Sequence, residues 1–209
     1  MDWNPMPIYI MYCSTSRRLV APFLFGIAAG AREQEITSLR WDQEVQADEL
    51  PAGSAWWIPP EIRKGNARKR KSDQEGRYLI ANSAARSIID EQRGNESDLV
   101  FPGPKGQRMG RLNNTAWKAA WRKAGLQVEG VKRGVHNLRH TFGRRMEAAG
   151  IPREYRKALL GHEIQDVTDL YSGPGLARML DHAERIKRTN APILRPVQKR
   201  DSPRAAASH

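Results

Sequence analysis

A β-hairpin pattern interrupts a sequence that is otherwise helical, and this interruption limits the possible folds more than any other feature. Short segments at residues 41–46 and 55–59 are separated by Pro51 and Gly53, which predicts a β-hairpin. The stretch "RYLIAN" at residues 77–82 predicts a third strand. We therefore expect a small three-stranded antiparallel sheet.

Helical patterns lie on both sides of this sheet. Residues 17–40 carry apolar positions at helical spacing around a break at Gly30. The later helices are predicted at residues 83–94, with Ser83 as the cap and Gly94 as the stop, and at residues 112–126, 136–149, 153–160 (closed by Gly161) and 176–188. The expected fold class is α+β, mainly α-helical.

The charge of the chain points to its partner. The net charge is +12 and the sequence pI is about 10.3, which favours a polyanion such as nucleic acid. Cys13 is the single cysteine, so we expect a reducing, cytoplasmic location and no cysteine-based metal site. The apolar run within residues 16–31 is too short to span a membrane, and we expect no membrane partner.

The stretch "VHNLRHTFGRRMEAAG" places two histidines and an arginine at the start of a predicted helix. His136 and Arg139 are three residues apart, so they share a helix face and could converge on one anion. His140 points about 100° away from Arg139 on a helix, and we interpret it as structural. Taken alone, this pair is better explained by a solvated basic helix.

Other candidates are also weak when taken singly. Arg32 starts a helix, where the helix dipole slightly disfavours a cation. His162 follows Gly161, and Tyr171 comes nine positions later. Six of the nine residues from Arg63 to Lys71 are basic, which is typical of a solvated, DNA-attracting loop; these are Arg63, Lys64, Arg68, Lys69, Arg70 and Lys71.

The ordered set is far more specific than its members. The segments "AGAREQEITSLRW", "RKGN", "VHNLRHTF" and "LLGHEIQDVTDLYS" resemble the catalytic domain of the tyrosine recombinases, the phage integrase family. The resemblance extends over about residues 17–187 and implies the DNA breaking–rejoining fold of that family. It implies that six residues are catalytic: Arg32, Lys64, His136, Arg139, His162 and Tyr171.

The resemblance also implies a reaction. The tyrosine would attack a phosphodiester of double-stranded DNA, form a 3′-phosphotyrosyl link and exchange strands without metal, cofactor or ATP. The two arginines would clamp the phosphate, and the hairpin lysine would protonate the leaving oxygen. By the same resemblance, the chain would act as a tetramer on paired sites, with its C-terminal helix or tail docking on a neighbouring subunit.

Two features depart from the family pattern. Family members typically carry a separate N-terminal helical domain, and the short lead over residues 1–16 predicts that this domain is missing here. Residues 188–209 form a basic tail that we expect to be disordered in isolation. The hairpin is also longer than usual: counting from "IPPEIR" favours Lys64 as the hairpin lysine, whereas counting from "RYLIAN" favours Lys71.

Three alternatives remain open at this stage. The chain could be a DNA-binding relic or regulator with the recombinase fold and little activity. It could relax DNA in the manner of a type IB topoisomerase, although "LLGH" followed by the tyrosine favours a recombinase. A basic RNA-binding protein is the weakest alternative, because the sequence has no aromatic stacking motif of a single-strand binder.

Overall fold

The computed structural model describes residues 17–63, 76–112, 136–162 and 173–186. Four elements precede the central sheet strand: helix α1 (Arg17–Ala29), helix α2 (Glu33–Thr37), a 3-10 turn (Trp41–Gln43) and strand β1 (Glu44–Val45). Strand β2 (Ala55–Ile58), the short helix α3 (Pro60–Arg63), strand β3 (Arg77–Ile80) and helix α4 (Ser83–Asp90) follow. The remaining described elements are helices α5 (His136–Ala148), α6 (Arg153–Leu160) and α7 (Gly173–Ile186).

The three strands form an antiparallel sheet in the order β1-β2-β3, as predicted. Trp56 pairs with Leu79, and both belong to a core shared with α1, α2 and α4. Ala55 pairs with Ile80, and both belong to a second core shared with α5, α6 and α7. Because successive strand residues point to opposite faces, the sheet separates the two cores. The α+β, mainly helical fold class is thus confirmed.

Three local predictions are wrong: the cap of helix α4, its end, which is at Asp90 and not at Gly94, and the length of the first strand. Helix α4 is capped by Asn82, whose side chain accepts a hydrogen bond from the backbone N–H of Ala85 at 3.0 Å. Ser83 instead binds Glu184 of α7 through its backbone N–H at 2.6 Å and its hydroxyl at 2.7 Å. The first predicted strand is also shorter than expected, because residues 41–43 form a 3-10 turn and only residues 44–45 pair.

Helix α3 follows directly after the strand predicted at residues 55–59 and was not expected. The predicted helix at residues 112–126 lies outside the described residues apart from its first position, as do the lead at 1–16 and the tail at 188–209. Among the residues that are described, no helix is long and apolar enough to cross a membrane.

Candidate active site

Three arginines converge on the C-terminal end of helix α6. The carbonyl of Leu159 accepts a hydrogen bond from Arg77, and the carbonyl of Leu160 accepts one from Arg139. The next carbonyl, that of Gly161, accepts a hydrogen bond from Arg32 at 3.1 Å. The last carbonyls of a helix lack partners within the helix and carry the negative end of its dipole. The end of α6 therefore gathers guanidinium groups from three separate parts of the chain.

A buried carboxylate organises two of these arginines. Glu35 accepts hydrogen bonds from Nε and Nη2 of Arg77 at 3.0 and 2.7 Å, and Nη1 of Arg32 lies 3.1 Å from its Oε1. Burial alone would raise the pKa of Glu35, but the charges of Arg77 and Arg32 outweigh it and lower that pKa to about 2. Glu35 is therefore ionised, and the group of three side chains keeps a positive charge.

Arg139 is held by backbone oxygens from two elements. Its Nη1 donates to the carbonyl of Gly30 at 2.8 Å, and its Nη2 donates to the carbonyl of Leu160. Gly30 has a φ of 64°, and a Cβ on it would lie 2.3 Å from Cδ1 of Phe142. Glycine is therefore required at position 30, both for its left-handed backbone and for the approach of α5 to the end of α1.

Gly161 is constrained in the same way at the end of α6. Its φ is 59°, which makes it the left-handed C-cap of the helix. A Cβ at this position would lie 2.2 Å from Cδ of Arg77. The glycine thus ends the helix as predicted. Its lack of a Cβ also leaves the space beside the Gly161 backbone that the side chain of Arg77 occupies.

The two predicted histidines lie beside this group of arginines. The pKa of His136 is lowered by partial desolvation of its ring and by the charges of His140, Arg139 and Arg32. The ring of His136 meets that of His140 edge to face, with centroids 4.5 Å apart. His140 is therefore the direct neighbour of His136, because residues four apart meet on a helix.

His162 follows the C-cap, and its backbone N–H donates to the carbonyl of Lys157 at 2.9 Å. The pKa of this imidazole is lowered to about 4. The main cause is partial desolvation of the ring, and the charges of Arg139, Arg32, Arg77 and Lys157 add to it. At neutral pH the ring is uncharged, so it can donate one hydrogen bond and accept another.

The structure thus brings together four of the residues predicted as catalytic, namely Arg32, His136, Arg139 and His162. Lys64, Tyr171 and the basic residues 68–71 lie outside the described residues, and Arg63 is the last residue of α3. The described part of the chain holds no cluster of histidine, cysteine and acidic side chains that fits a metal ion. The site offers the partly exposed guanidinium of Arg32, the buried guanidinium of Arg139 and the neutral imidazoles of His136 and His162. These donors suit an oxyanion such as a phosphate.

Sequence reasoning missed Glu35 and Arg77. The signal for Glu35 was present, since it lies three positions after Arg32 in a helical pattern and forms a capping box with it. Arg77 had a weaker signal, as an arginine at the start of an apolar strand. Only the fold shows that its side chain is fully buried and paired.

Comparisons with known proteins identify the family of this chain. The model of the phage integrase family matches residues 9–174. The integrase of Salmonella phage P22 is 26% identical over 174 residues, which cover 78% of this chain and 41% of that protein. The tyrosine recombinase XerD of Pseudomonas aeruginosa is 31% identical over 88 residues, or 42% of this chain and 29% of XerD. This chain therefore spans less than half the length of these relatives.

Solved structures show the same fold. The integrase from mycobacterium phage Brujita superposes with a TM-score of 0.54 at 20% identity, over 82% of this chain and 52% of that chain. The XerA recombinase gives a TM-score of 0.54 at 18% identity, over 88% and 57% of the two chains. The XerH site-specific recombinase, solved bound to its difH substrate before cleavage, gives 0.51 at 17% identity, over 87% and 49%.

Proposed function

The chain belongs to the phage integrase family, and on that premise we propose that it carries the catalytic machinery of a site-specific DNA strand-exchange enzyme. The observation that carries the proposal is the meeting of Arg32 and Arg139 on consecutive carbonyls, those of Gly161 and Leu160. Arg32 lies 129 positions before Gly161, so the fold has to bring these groups together. This catalytic unit extends over residues 17–187.

In the proposed reaction, Oη of Tyr171 attacks a DNA phosphorus and the bond to the 5′-oxygen breaks. The products are a 3′-phosphotyrosyl link and a free 5′-hydroxyl, whose proton comes from Lys64, or from Lys71 in the alternative register of the hairpin. A 5′-hydroxyl of a second strand then attacks the link and releases the tyrosine. The phosphotyrosyl bond keeps the energy of the original phosphodiester, so the exchange needs no ATP.

The arginines stabilise the charge that develops on the non-bridging oxygens. Arg139 is buried and fixed by two carbonyls, so its orientation is set before DNA binds. Arg32 is fixed by Glu35 and Gly161, and its side chain keeps 32% of its accessible surface. In comparable oxyanion sites the loss of one preorganised donor costs about 3–4 kcal/mol of transition-state stabilisation.

The imidazoles are available to accept the proton of the tyrosine or to orient its hydroxyl group. A free tyrosine has a pKa of about 10, so only about one in a thousand is ionised at neutral pH. His136 and His162 have lowered pKa values and are neutral, which makes either one available to accept or orient the tyrosine proton.

The proposal extends to partners. Double-stranded DNA is the substrate, and Arg63, Arg68, Lys69, Arg70 and Lys71 attract its backbone without reading sequence. The enzyme assembles as a tetramer on paired sites, through the C-terminal helix or tail. Because the chain has a single cysteine, which favours a reducing compartment, we place it in the cytoplasm.

A suicide-substrate assay tests the central step. A pool of nicked duplexes of varied sequence is incubated with the protein, and covalent adducts that survive SDS are counted. We expect an adduct with the unmodified chain and with Tyr155→Phe, whose ring contacts His182 of α7 instead of the site. We expect no adduct with Tyr171→Phe.

Persistence of the adduct in Tyr171→Phe would show that another group is the nucleophile. Salt-sensitive DNA binding without an adduct at any sequence would favour an inactive relic or a regulator. Relaxation of a supercoiled plasmid without strand joining would favour the topoisomerase-like reaction.

A further inference from the structure

A second cationic recess adjoins the proposed phosphate site. A cavity of about 280 Å³ lies between α5 and α6. Its apolar floor is formed by Gly143, Met146 and Leu160, its basic rim is formed by Arg153, Arg156 and Lys157, and the neutral His162 also lines it. His162 borders both this cavity and the arginine group on the end of α6, so the cavity continues directly from the proposed site.

The described residues that line the cavity include three cations, Arg153, Arg156 and Lys157, and none of them is acidic. Nη1 of Arg156 lies 3.4 Å from Oε1 of Glu147, a carboxylate whose side chain is 73% exposed. Nε of Arg156 is buried and has no hydrogen-bond partner within the part of the chain that the structure describes. Lys157 lies close enough to contribute to the lowered pKa of His162.

Gly143 provides an independent observation. It lies inside helix α5, where glycine is less favourable than alanine. Its φ is not in the left-handed region, and the nearest side-chain atom to a Cβ built there is Cδ1 of Leu160 at 3.9 Å. Neither backbone conformation nor close packing therefore requires a glycine. A small residue at this position leaves the cavity open, and a large one would fill it.

We propose that this cavity binds a second, non-scissile phosphate of the DNA strand whose scissile phosphate lies at Arg32 and Arg139. The basic rim binds the phosphate oxygens, and the apolar floor contacts the adjoining deoxyribose. This assignment rests on the proposed function, and it adds Arg153, Arg156 and Lys157 to the DNA-binding surface.

Salt-dependent binding of duplex DNA by the whole chain tests the assignment. Each phosphate contact contributes about 0.9 to the slope of log K against log salt concentration. We expect Arg153→Gln and Lys157→Gln each to reduce the slope by about that amount. Lys105→Gln removes an exposed charge from the loop over residues 101–112, which does not line the cavity, and leaves the slope unchanged.

Two substitutions that change no charge distinguish binding in the cavity from a general effect of the positive charge. Gly143→Leu fills the cavity and is expected to reduce the slope although no charge is lost. Gly143→Ala adds only a methyl group in ordinary contact with Leu160, and we expect its slope to equal that of the unmodified chain.

Lysine acetylation, read by mass spectrometry, needs no variant. Bound duplex is expected to protect Lys157 from acetylation. Normal binding with unchanged slopes in Arg153→Gln, Lys157→Gln and Gly143→Leu overturns this inference alone, as does equal acetylation of Lys157 with and without DNA. Absence of DNA binding by the unmodified chain overturns the inference and the proposed function together.

Discussion

Glu35 and Arg77 form a buried two-point ion pair, with Nη2 and Nε of the guanidinium 2.7 and 3.0 Å from the two carboxylate oxygens. Each side chain keeps only 1% of its accessible surface. The pair joins helix α2 to strand β3, and through Arg77 it also reaches the carbonyl of Leu159 on α6. Three elements that carry site residues are thus tied together by one carboxylate.

Removing the charge of Glu35 should strongly destabilise the fold. Glu35→Gln leaves Arg77 buried without a counter-charge, and breaking a buried pair on one side costs about 3–5 kcal/mol. Urea unfolding measures the change. The matched control is Arg93→Gln, which breaks a pair with Glu44 at a side chain that is 43% exposed, and which should cost less than about 1 kcal/mol. Equal losses in the two variants would contradict the structural role of Glu35.

His162 should make stability depend on pH in the mildly acidic range. Its pKa falls from 6.5 to about 4 on folding, first because the ring is partly desolvated and then because of Arg139 and its cationic neighbours. The unfolded chain therefore binds a proton at a higher pH than the folded chain, so the stability contributed above pH 6.5 is lost as the pH falls toward 4.

Unfolding free energies measured between pH 7 and 4.5 test this dependence, since Glu35 titrates only below its ordinary value of 4.5. His136 and His182 have lowered pKa values and contribute in the same direction. We expect His162→Gln to reduce the loss of stability across this window without abolishing it. Superimposable pH profiles for His162→Gln and the unmodified chain would contradict the prediction.

The sequence predicts those parts of the site that depend on local spacing. His136 and Arg139 share a helix face, and Gly161 ends α6, because both relations are fixed by helix geometry. The meeting of Arg32 with Arg139 was inferred only from the resemblance to a family. The pairing of Glu35 with Arg77 was not inferred, because it depends on how α2 packs against the sheet.

The incorrect predictions for the cap of α4 and for α3 each have a cause in the neighbouring sequence. Asn82 and Ser83 are both good helix caps, and the sequence does not distinguish two adjacent candidates. Pro60 is the first residue of α3, a position where proline is favoured, so a signal for that helix was present in "IPPEIR". The strand predicted at residues 55–59 ends just before this helix, and a helix of four residues is too short to show a helical spacing of apolar positions.

Gly161→Ala should cost more than a left-handed backbone alone explains. An alanine there adopts a strained φ, at about 1–2 kcal/mol, and its Cβ also collides with Cδ of Arg77. Gly94→Ala is the matched control, because Gly94 has a φ of 85° and nothing within 4 Å of its Cβ position. We expect Gly161→Ala to exceed this control by about 1–3 kcal/mol in urea unfolding. Equal costs would mean that Arg77 moves away freely.

Arg139→Lys should greatly slow the formation of the covalent adduct, although it keeps the positive charge at position 139. A lysine cannot span the carbonyls of Gly30 and Leu160 and also present a second donor to a phosphate, because it lacks the planar fork of arginine. Losing one preorganised donor slows adduct formation by about 100–1,000-fold. Single-turnover rates on a suicide substrate measure this, with Arg144→Lys on the exposed face of the same helix as the control. A rate within twofold of the unmodified chain would show that position 139 needs only a charge, and that its two backbone contacts serve folding instead of catalysis.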